Sequence, residues 1–275
     1  MKLKQGFVAA NGLNIFYHRT EGSKSKPPLV LLHGFSDNGR CWLQVTHKVA
    51  NPFDVIMPDA RGHGRTEGPS TSLAYDLLAQ DVIGLVEALG LEQPILFGHS
   101  MGALTALVAA AQAPDLVRAV VLEDPPFWDE AQKNALTVAQ LEEEQAGGLA
   151  FRKRPLAEKI QAIREGNPHW AEVEFAPWAE SKDEHDPGLL APKIRLEIRT
   201  YDWKTAAAKV QCPALLLTAH PGGIVKPATA REAASLMPHC EVAQINDAGH
   251  CIHRDKFEAT MNVVLDFLQR HSILC

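Results

Sequence analysis

The stretch PILFGHSMGAL, residues 94–104, predicts the fold of this chain. Pro94–Gly98 is an apolar run typical of a buried strand, and Gly102–Ala113 is small and apolar, as in a helix packed beneath a sheet. Between them, Gly98-His99-Ser100-Met101-Gly102 matches the pattern G-x-S-x-G. The glycines permit a sharp, strained turn that raises the serine hydroxyl above the end of the strand. We therefore predict that Ser100 is a nucleophile.

The segments around this motif alternate between short apolar runs and longer helical patterns. That rhythm indicates an α/β fold, a mostly parallel sheet with helices on both faces. The dipeptide Asn11-Gly12 predicts a hairpin between the first two strands. Ser72 is a plausible N-cap for a helix over Leu73–Leu89, and Phe257–Arg270 predicts an amphipathic closing helix. The predicted strands number eight: Gly6–Ala9, Leu13–Arg19, Pro28–His33, Asp54–Pro58, Pro94–Gly98, Ala119–Glu123, Ala214–Thr218 and Glu241–Ile245.

Residues 125–209 break the alternation, since they contain no convincing strand and are richer in charge. We predict a core domain of residues 1–124 and 210–275 and a helical cap of residues 125–209 over the carboxyl edge of the sheet, where open α/β sheets bind ligands. The cap aromatics Trp128, Trp170 and Trp178 either line a pocket or form cap core. The cap cations either recognise an acidic substrate or lie on solvated helix faces, and we favour the second; they are Arg152, Lys153, Arg154, Arg195 and Arg199.

The composition excludes several classes of protein. The 275 residues carry a net charge of -6 and are 46% hydrophobic, which argues against a disordered chain and against nucleic acid or an anionic membrane as partner. We expect a cytoplasmic protein without a signal peptide or membrane span. The five cysteines are scattered, which suits reduced thiols. Because no metal-ligand spacing and no nucleotide-binding glycine motif occurs, we expect no cofactor.

Two other loops carry residues suited to the same chemistry. His33-Gly34-Phe35 follows a predicted strand, and the amides of Phe35 and Met101 could bind a developing oxyanion. We expect His33 itself to be structural. Asp247-Ala248-Gly249-His250 follows the last predicted strand and supplies His250 as general base, with His253 as a weaker rival.

These motifs together resemble the α/β-hydrolase superfamily. The likeness rests on HGFSDN (33–38), PDARGHGRT (58–66), GHSMG (98–102) and DAGH (247–250), in that order along nearly the whole chain. The resemblance implies the fold, the cap, Ser100 as nucleophile, His250 as base, and Phe35 and Met101 as oxyanion donors. It also implies that Asp59, Arg61 and His63 are structural, with Arg61 paired to a carboxylate.

The third member of the triad is displaced in this chain. Most of the superfamily places a carboxylate in the loop after the strand that ends here at Thr218, but TAHPGGIV (218–225) has none. Asp124 follows the strand next to that of Ser100, and a minority of the superfamily places its acid there. We predict Asp124 as the acid. Three alternatives remain: Glu123, Asp247, or no acid at all. Glu123 should point to the opposite face of its strand.

The predicted function is cleavage of small carboxylic esters through an acyl-enzyme, without a cofactor. The same residues would serve a lactonase or a C–N hydrolase. A dehalogenase is disfavoured because residue 100 is serine, where an aspartate nucleophile is required. A ligand-binding receptor on this fold is a further alternative, supported only by the missing acid in residues 218–225.

Overall fold

The sheet of this protein has eight strands in the order β1-β2-β4-β3-β5-β6-β7-β8. The computed structural model describes residues 2–21, 26–68 and 71–273. β1 is antiparallel to β2 and β2 to β4, whereas the pairs from β4 through β8 are parallel. The predicted α/β fold with a mostly parallel eight-stranded sheet is confirmed. The strands are β1 (Leu3–Ala10), β2 (Leu13–Thr20), β3 (Pro28–Leu32), β4 (Asp54–Pro58), β5 (Ile95–His99), β6 (Ala119–Glu123), β7 (Ala214–Gly222) and β8 (Cys240–Gly249).

The central strands are buried on both faces. Every residue of β4, β5 and β6 is buried, which explains why their sequences are continuous apolar runs rather than alternating patterns. Successive side chains of β5 enter different cores: Leu96 packs in the cluster that contains Leu104, and Phe97 in the cluster that contains Trp42 and Phe267. Ser100 therefore rests on a strand that is fixed from both sides.

Helices cover both faces of the sheet and fill the segment between β6 and β7. The predicted closing helix is confirmed without a shift of either end. The helices are α1 (Leu43–Val49), α2 (Tyr75–Ala88), α3 (Met101–Gln112), α4 (Glu130–Lys133), α5 (Val138–Arg152), α6 (Leu156–Gly166), α7 (Glu172–Glu184), α8 (Pro192–Arg199), α9 (Trp203–Ala207), α10 (Pro227–Leu236), α11 (Ile252–Asp255) and α12 (Phe257–Arg270).

Several local predictions were wrong, among them the carboxyl end of β8, which lies at Gly249 and not at Ile245, and the start of β1, which lies at Leu3 and not at Gly6. Ser72 does not cap a helix that starts at Leu73; α2 begins at Tyr75, and the Ser72 hydroxyl donates to Glu197 of α8 at 2.8 Å. Strand β7 continues past Thr218 to Gly222, because its carboxyl end pairs with β8 across a register shift between His220 and Pro221.

Residues 125–209 hold α4 to α9 and a short 3-10 helix at Pro187–Leu190, with no strand. Arg152, at the end of α5, donates to the carbonyls of Lys182, Asp183 and His185, which terminate α7. This arginine therefore joins two helices of the segment and is not free to meet a substrate. The extent of the cap, residues 125–209, remains a proposal. Among the described helices, none is long and apolar enough to cross a membrane.

We expect Gly102→Ala to lower the free energy of unfolding by about 3 kcal/mol, because a methyl group in such a packed place must displace the backbone. A Cβ at residue 102 would lie 2.1 Å from the carbonyl oxygen of Leu32. Urea unfolding followed by circular dichroism measures the change. Gly147→Ala, at a helical glycine with nothing within 4 Å of the added Cβ, is the control and should be neutral or stabilising. Equal loss in both variants would contradict the steric explanation.

Candidate active site

Ser100 occupies the turn between β5 and α3. Its backbone has φ 52° and ψ -116°, a conformation that L residues seldom adopt and that aims the side chain away from the strand. Both flanking glycines are required, since a Cβ at Gly98 would lie 2.2 Å from the carbonyl oxygen of Gly102. The Ser100 amide donates to the carbonyl of Glu123 at 2.9 Å and fixes the turn to the end of β6. The structure therefore has the strained turn that G-x-S-x-G predicted.

Asp124 lies at the end of β6 and is fully buried. Its Oδ2 is 2.7 Å from Nδ1 of His250. The carboxylate also accepts hydrogen bonds from the amides of Ile224, at 2.8 Å to Oδ2, and of Val225, at 3.0 Å to Oδ1. The loop that lacks a carboxylate thus supplies the amides that hold one from the neighbouring strand.

Gly223 permits this approach of loop and carboxylate. A Cβ at residue 223 would lie 2.7 Å from the carbonyl oxygen of Ala219 and 3.0 Å from Oδ1 of Asp124. The glycines in TAHPGGIV were therefore a readable signal of a close backbone contact. Sequence reasoning noted the missing acid but did not identify the amides of Ile224 and Val225 as partners of Asp124.

The rival residues have other partners or none at the site. Glu123 points to the other side of β6 and accepts from Nδ1 of His253 at 2.8 Å, and both side chains are buried. His253 lies in α11 and stacks on Trp42 with ring centroids 4.5 Å apart. Asp247 is exposed on β8. Of the three carboxylates considered, the structure brings Asp124 to His250.

His250 follows β8 and lines the same cavity as Ser100. Its backbone carbonyl accepts a hydrogen bond from Nε2 of His99 at 3.1 Å. Burial, and then the neighbouring His250, lower the pKa of His99 to about 3, so His99 is neutral and keeps one ring proton for this bond. His99 consequently fixes the backbone of His250 while Asp124 fixes its ring.

The loop Gly34–Asp37 carries the predicted oxyanion donor Phe35, which lines the cavity together with Met101 at the start of α3. Ser36 is held at φ 62°, and its amide donates to Nε2 of His63 at 3.2 Å. Lys182 of α7 donates to the carbonyl of Ser36 at 2.9 Å and to its hydroxyl at 3.1 Å. The cap thereby tethers the loop that presents the Phe35 amide.

A buried ion-pair network joins this loop to two helices. Asp37 lies 2.7 Å from Lys182 and 3.0 Å from Arg254 of α11, and Arg254 also pairs with Glu174 of α7 at 2.9 Å. Burial by itself would raise the pKa of Asp37, but Lys182 and Arg254 outweigh it and hold the pKa well below its usual range. Sequence reasoning missed this network because its paired residues are 80 to 217 positions apart.

The histidines and charged residues expected to be structural have structural contacts. His33 accepts from the amide of Ala60 at 2.9 Å, and burial lowers its pKa, so the ring is neutral. Arg61 forms two hydrogen bonds to Asp81, of 2.6 and 2.7 Å, so Asp81 is the carboxylate with which Arg61 was expected to pair. Asp59 accepts from the amides of Gly39 and Arg65, each at 2.8 Å.

The cavity in front of Ser100 has a volume of about 340 Å³, at the small end of the range for ligand pockets. Trp128 and Trp178 line it, whereas Trp170 is buried and donates to Asp255 at 2.6 Å. Arg195 and Arg199 also line it, so these two cations do not lie on a solvated face. In the described part of the chain, no group of three His, Cys, Asp or Glu side chains could hold a metal ion.

Comparison with known proteins agrees with this geometry. A family model for the alpha/beta hydrolase fold matches residues 27–257. This chain belongs to the α/β-hydrolase family. It is 28% identical over 265 residues to an N-formylmaleamate deformylase of Pseudomonas putida, with 96% of each protein covered. It is 27% identical to a 2-(acetamidomethylene)succinate hydrolase of Mesorhizobium japonicum, covering 89% of this chain and 88% of that protein. A crystal structure of an E-2-(acetamidomethylene)succinate hydrolase superposes with a TM-score of 0.83 at 23% identity, over 98% of this chain and 100% of the other.

We expect Lys182→Met to lower the free energy of unfolding by about 3 kcal/mol at pH 7, because it removes one partner of a buried ion pair. The loss should shrink as the pH falls below about 4, the usual pKa of aspartate. There the unfolded chain takes up a proton at Asp37, while folded wild type, in which Lys182 and Arg254 hold the pKa lower, keeps the charge, so the stabilisation present at higher pH fades.

Urea unfolding between pH 7 and pH 3 measures both effects of Lys182→Met. The control is Lys153→Met, which removes an exposed cation from the end of α5 and should leave stability within about 0.5 kcal/mol of wild type. A constant difference at every pH would show that Lys182 acts through packing and not through Asp37.

Proposed function

We propose that this α/β hydrolase is a cofactor-independent serine hydrolase that cleaves small acyl amides through an acyl-enzyme, with carboxylic esters as a second substrate class. The observation that carries the proposal is the 2.7 Å contact between Nδ1 of His250 and a fully buried Asp124, beside a serine held in a strained turn. That combination supplies a nucleophile, a base and an orienting acid in one cavity.

The proposed reaction has two halves, acylation of Ser100 and hydrolysis of the acyl-enzyme, and the same residues act in both. Because Nδ1–H of His250 donates to Asp124, Nε2 is left to take the proton of Ser100 as its Oγ bonds to the acyl carbon. The amides of Phe35 and Met101 donate to the carbonyl oxygen as it becomes an oxyanion. His250 then gives its proton to the departing nitrogen or oxygen. Water, with His250 again as base, breaks the acyl bond to Ser100 and restores the serine.

The choice of amide before ester rests on the relatives. The two relatives described above are named for deformylation of an N-formyl compound and for hydrolysis of an acetamido compound, and both compounds contain an acyl–nitrogen bond. A lactone would be opened by the same residues. The receptor alternative loses its support, since its basis was a missing acid and a carboxylate does contact His250.

We expect Ser100→Ala and Asp124→Asn each to reduce kcat by about 10⁴-fold or more on 4-nitrophenyl acetate, the first by removing the nucleophile and the second by leaving the histidine in the wrong tautomer. Asp247→Asn, at an exposed carboxylate on β8 three residues before His250, is the matched control and should stay near wild type. Full activity in a folded Asp124→Asn variant would eliminate this triad.

We further expect N-vinylacetamide to be hydrolysed with many turnovers, as vinyl acetate is. The two compounds share the acetyl and vinyl groups and differ in a single atom, N or O, and each releases acetate and acetaldehyde after hydrolysis. Acetate release by wild type and by Ser100→Ala measures the activity that depends on the serine. If vinyl acetate is cleaved and N-vinylacetamide is not, the enzyme is an esterase. Opening of γ-valerolactone to 4-hydroxypentanoate, followed by the proton released, identifies a lactonase.

A further inference from the structure

Arg199 is a buried cation without a matching anion. It ends α8, is 8% exposed and lines the cavity that contains Ser100. Its Nη2 donates to the carbonyl of Gln132 at 2.6 Å, and its guanidinium lies 4.4 Å from the ring centroid of Trp128. Nε is buried and has no hydrogen-bond partner in the described residues. A buried guanidinium normally has an anionic partner, because removing a charge from water is costly.

The other cations of the cavity have partners. Lys182 and Arg254 are balanced by Asp37 and Glu174 in the ion-pair network. Arg195, one turn before Arg199 on α8, reaches Glu144 at 3.4 Å, and its guanidinium lies 4.7 Å from the ring centroid of Phe35. Asp37 is the one carboxylate among the described residues that line the cavity. When Glu174 and Glu144, which pair with Arg254 and Arg195 from outside the lining, are counted with Asp37, one positive charge is left without a partner, at Arg199.

The positive charge of Arg195 acts on Arg199. Burial, and then the positive charge of Arg195, lower the pKa of Arg199. Like charges four residues apart on a helix repel. A single anion bound between the two guanidinium groups would offset their repulsion and would give the buried charge of Arg199 a partner. The planar fork of an arginine suits a carboxylate.

We propose that the substrate carries a carboxylate, and that Arg199 with Arg195 binds it at the cap end of the cavity while the acyl group meets Ser100. The inference rests on the proposed hydrolase function and adds the charge of its substrate. The cavity also has apolar walls at Tyr75, Pro126, Ile198 and Ile224, which suit a short hydrocarbon segment between the carboxylate and the acyl group.

The test compares two compounds that differ in charge, 3-acetamidopropanoate and its neutral amide, 3-acetamidopropanamide. Calorimetric titration into full-length Ser100→Ala measures binding without turnover, and acetate release by the active enzyme measures kcat/KM. We expect the carboxylate to be preferred by about 10- to 100-fold in both measurements, the usual worth of hydrogen bonds to a charged group. Arg199→Gln should abolish the preference, and Arg199→Lys, which keeps the charge, should retain part of it.

Lys193→Gln is the matched control, since it removes an exposed cation from the same helix and should leave the preference unchanged. If Lys193→Gln lost the preference for the carboxylate to the same extent, the preference would come from the overall positive charge of the helix and not from a binding site at Arg199. The proposal is overturned if Arg199→Gln, folded as judged by its melting temperature, keeps the preference, or if inorganic sulfate binds as tightly as the acetamido carboxylate.

Failure of the anion site and failure of the hydrolase proposal give different results. If wild type cleaves neutral esters or amides but Ser100→Ala binds 3-acetamidopropanoate no more tightly than its neutral amide, the hydrolase proposal stands and the carboxylate site is wrong. If the carboxylate binds through Arg199 and wild type cleaves nothing, the site stands and the hydrolase proposal is wrong.

Discussion

The hydrogen bond between Asp124 and His250 is the contact on which the rest of the site depends. A buried carboxylate is stable only when its oxygens have donors, and here they receive the imidazole Nδ1–H and the amides of Ile224 and Val225. Those three donors come from two loops that follow β7 and β8. Because one carboxylate needs all three hydrogen bonds, the ends of three neighbouring strands are fixed relative to one another. The histidine ring is fixed with them.

A second constraint acts from the cap side. Lys182 contacts Ser36 and Asp37, and Arg254, four residues after His250, contacts Asp37 and Glu174. The loop Gly34–Asp37, helix α7 and helix α11, which follows His250, share one charge-balanced cluster. Displacement of any of these elements would leave a buried charge without its partner. The elements around the cavity are therefore held in place by ion pairs as well as by packing.

The sequence predicted those features that depend on local pattern. Continuous apolar runs located β4 and β6 with correct ends, and the strained turn at Ser100 follows from its two glycines. Asp124 could be proposed because parallel strands bring their carboxyl ends to one edge. The two amide partners of that carboxylate could not be proposed, since residues 224 and 225 are about a hundred positions away and contribute backbone amides that any sequence has. The burial of Arg199 was missed for the same reason: its neighbours Gln132 and Trp128 are distant in sequence, and an arginine at a helix end has the same pattern whether it faces solvent or a cavity.

The placement of the acid on β6 has a consequence for how such a chain can diversify. The proposed nucleophile and acid and both expected oxyanion donors all precede residues 125–209, and hydrogen bonds between adjacent strands hold the strand ends that carry them. Of the residues assigned here to catalysis, His250 alone follows that segment, and it needs only the register of β7 on β6 and of β8 on β7 to return to its position. Changes in this segment that keep the contacts of Lys182 with Asp37 and of Glu174 with Arg254 would therefore leave the bond-breaking groups in place relative to each other, so substrate choice and reactivity are separable traits in this architecture.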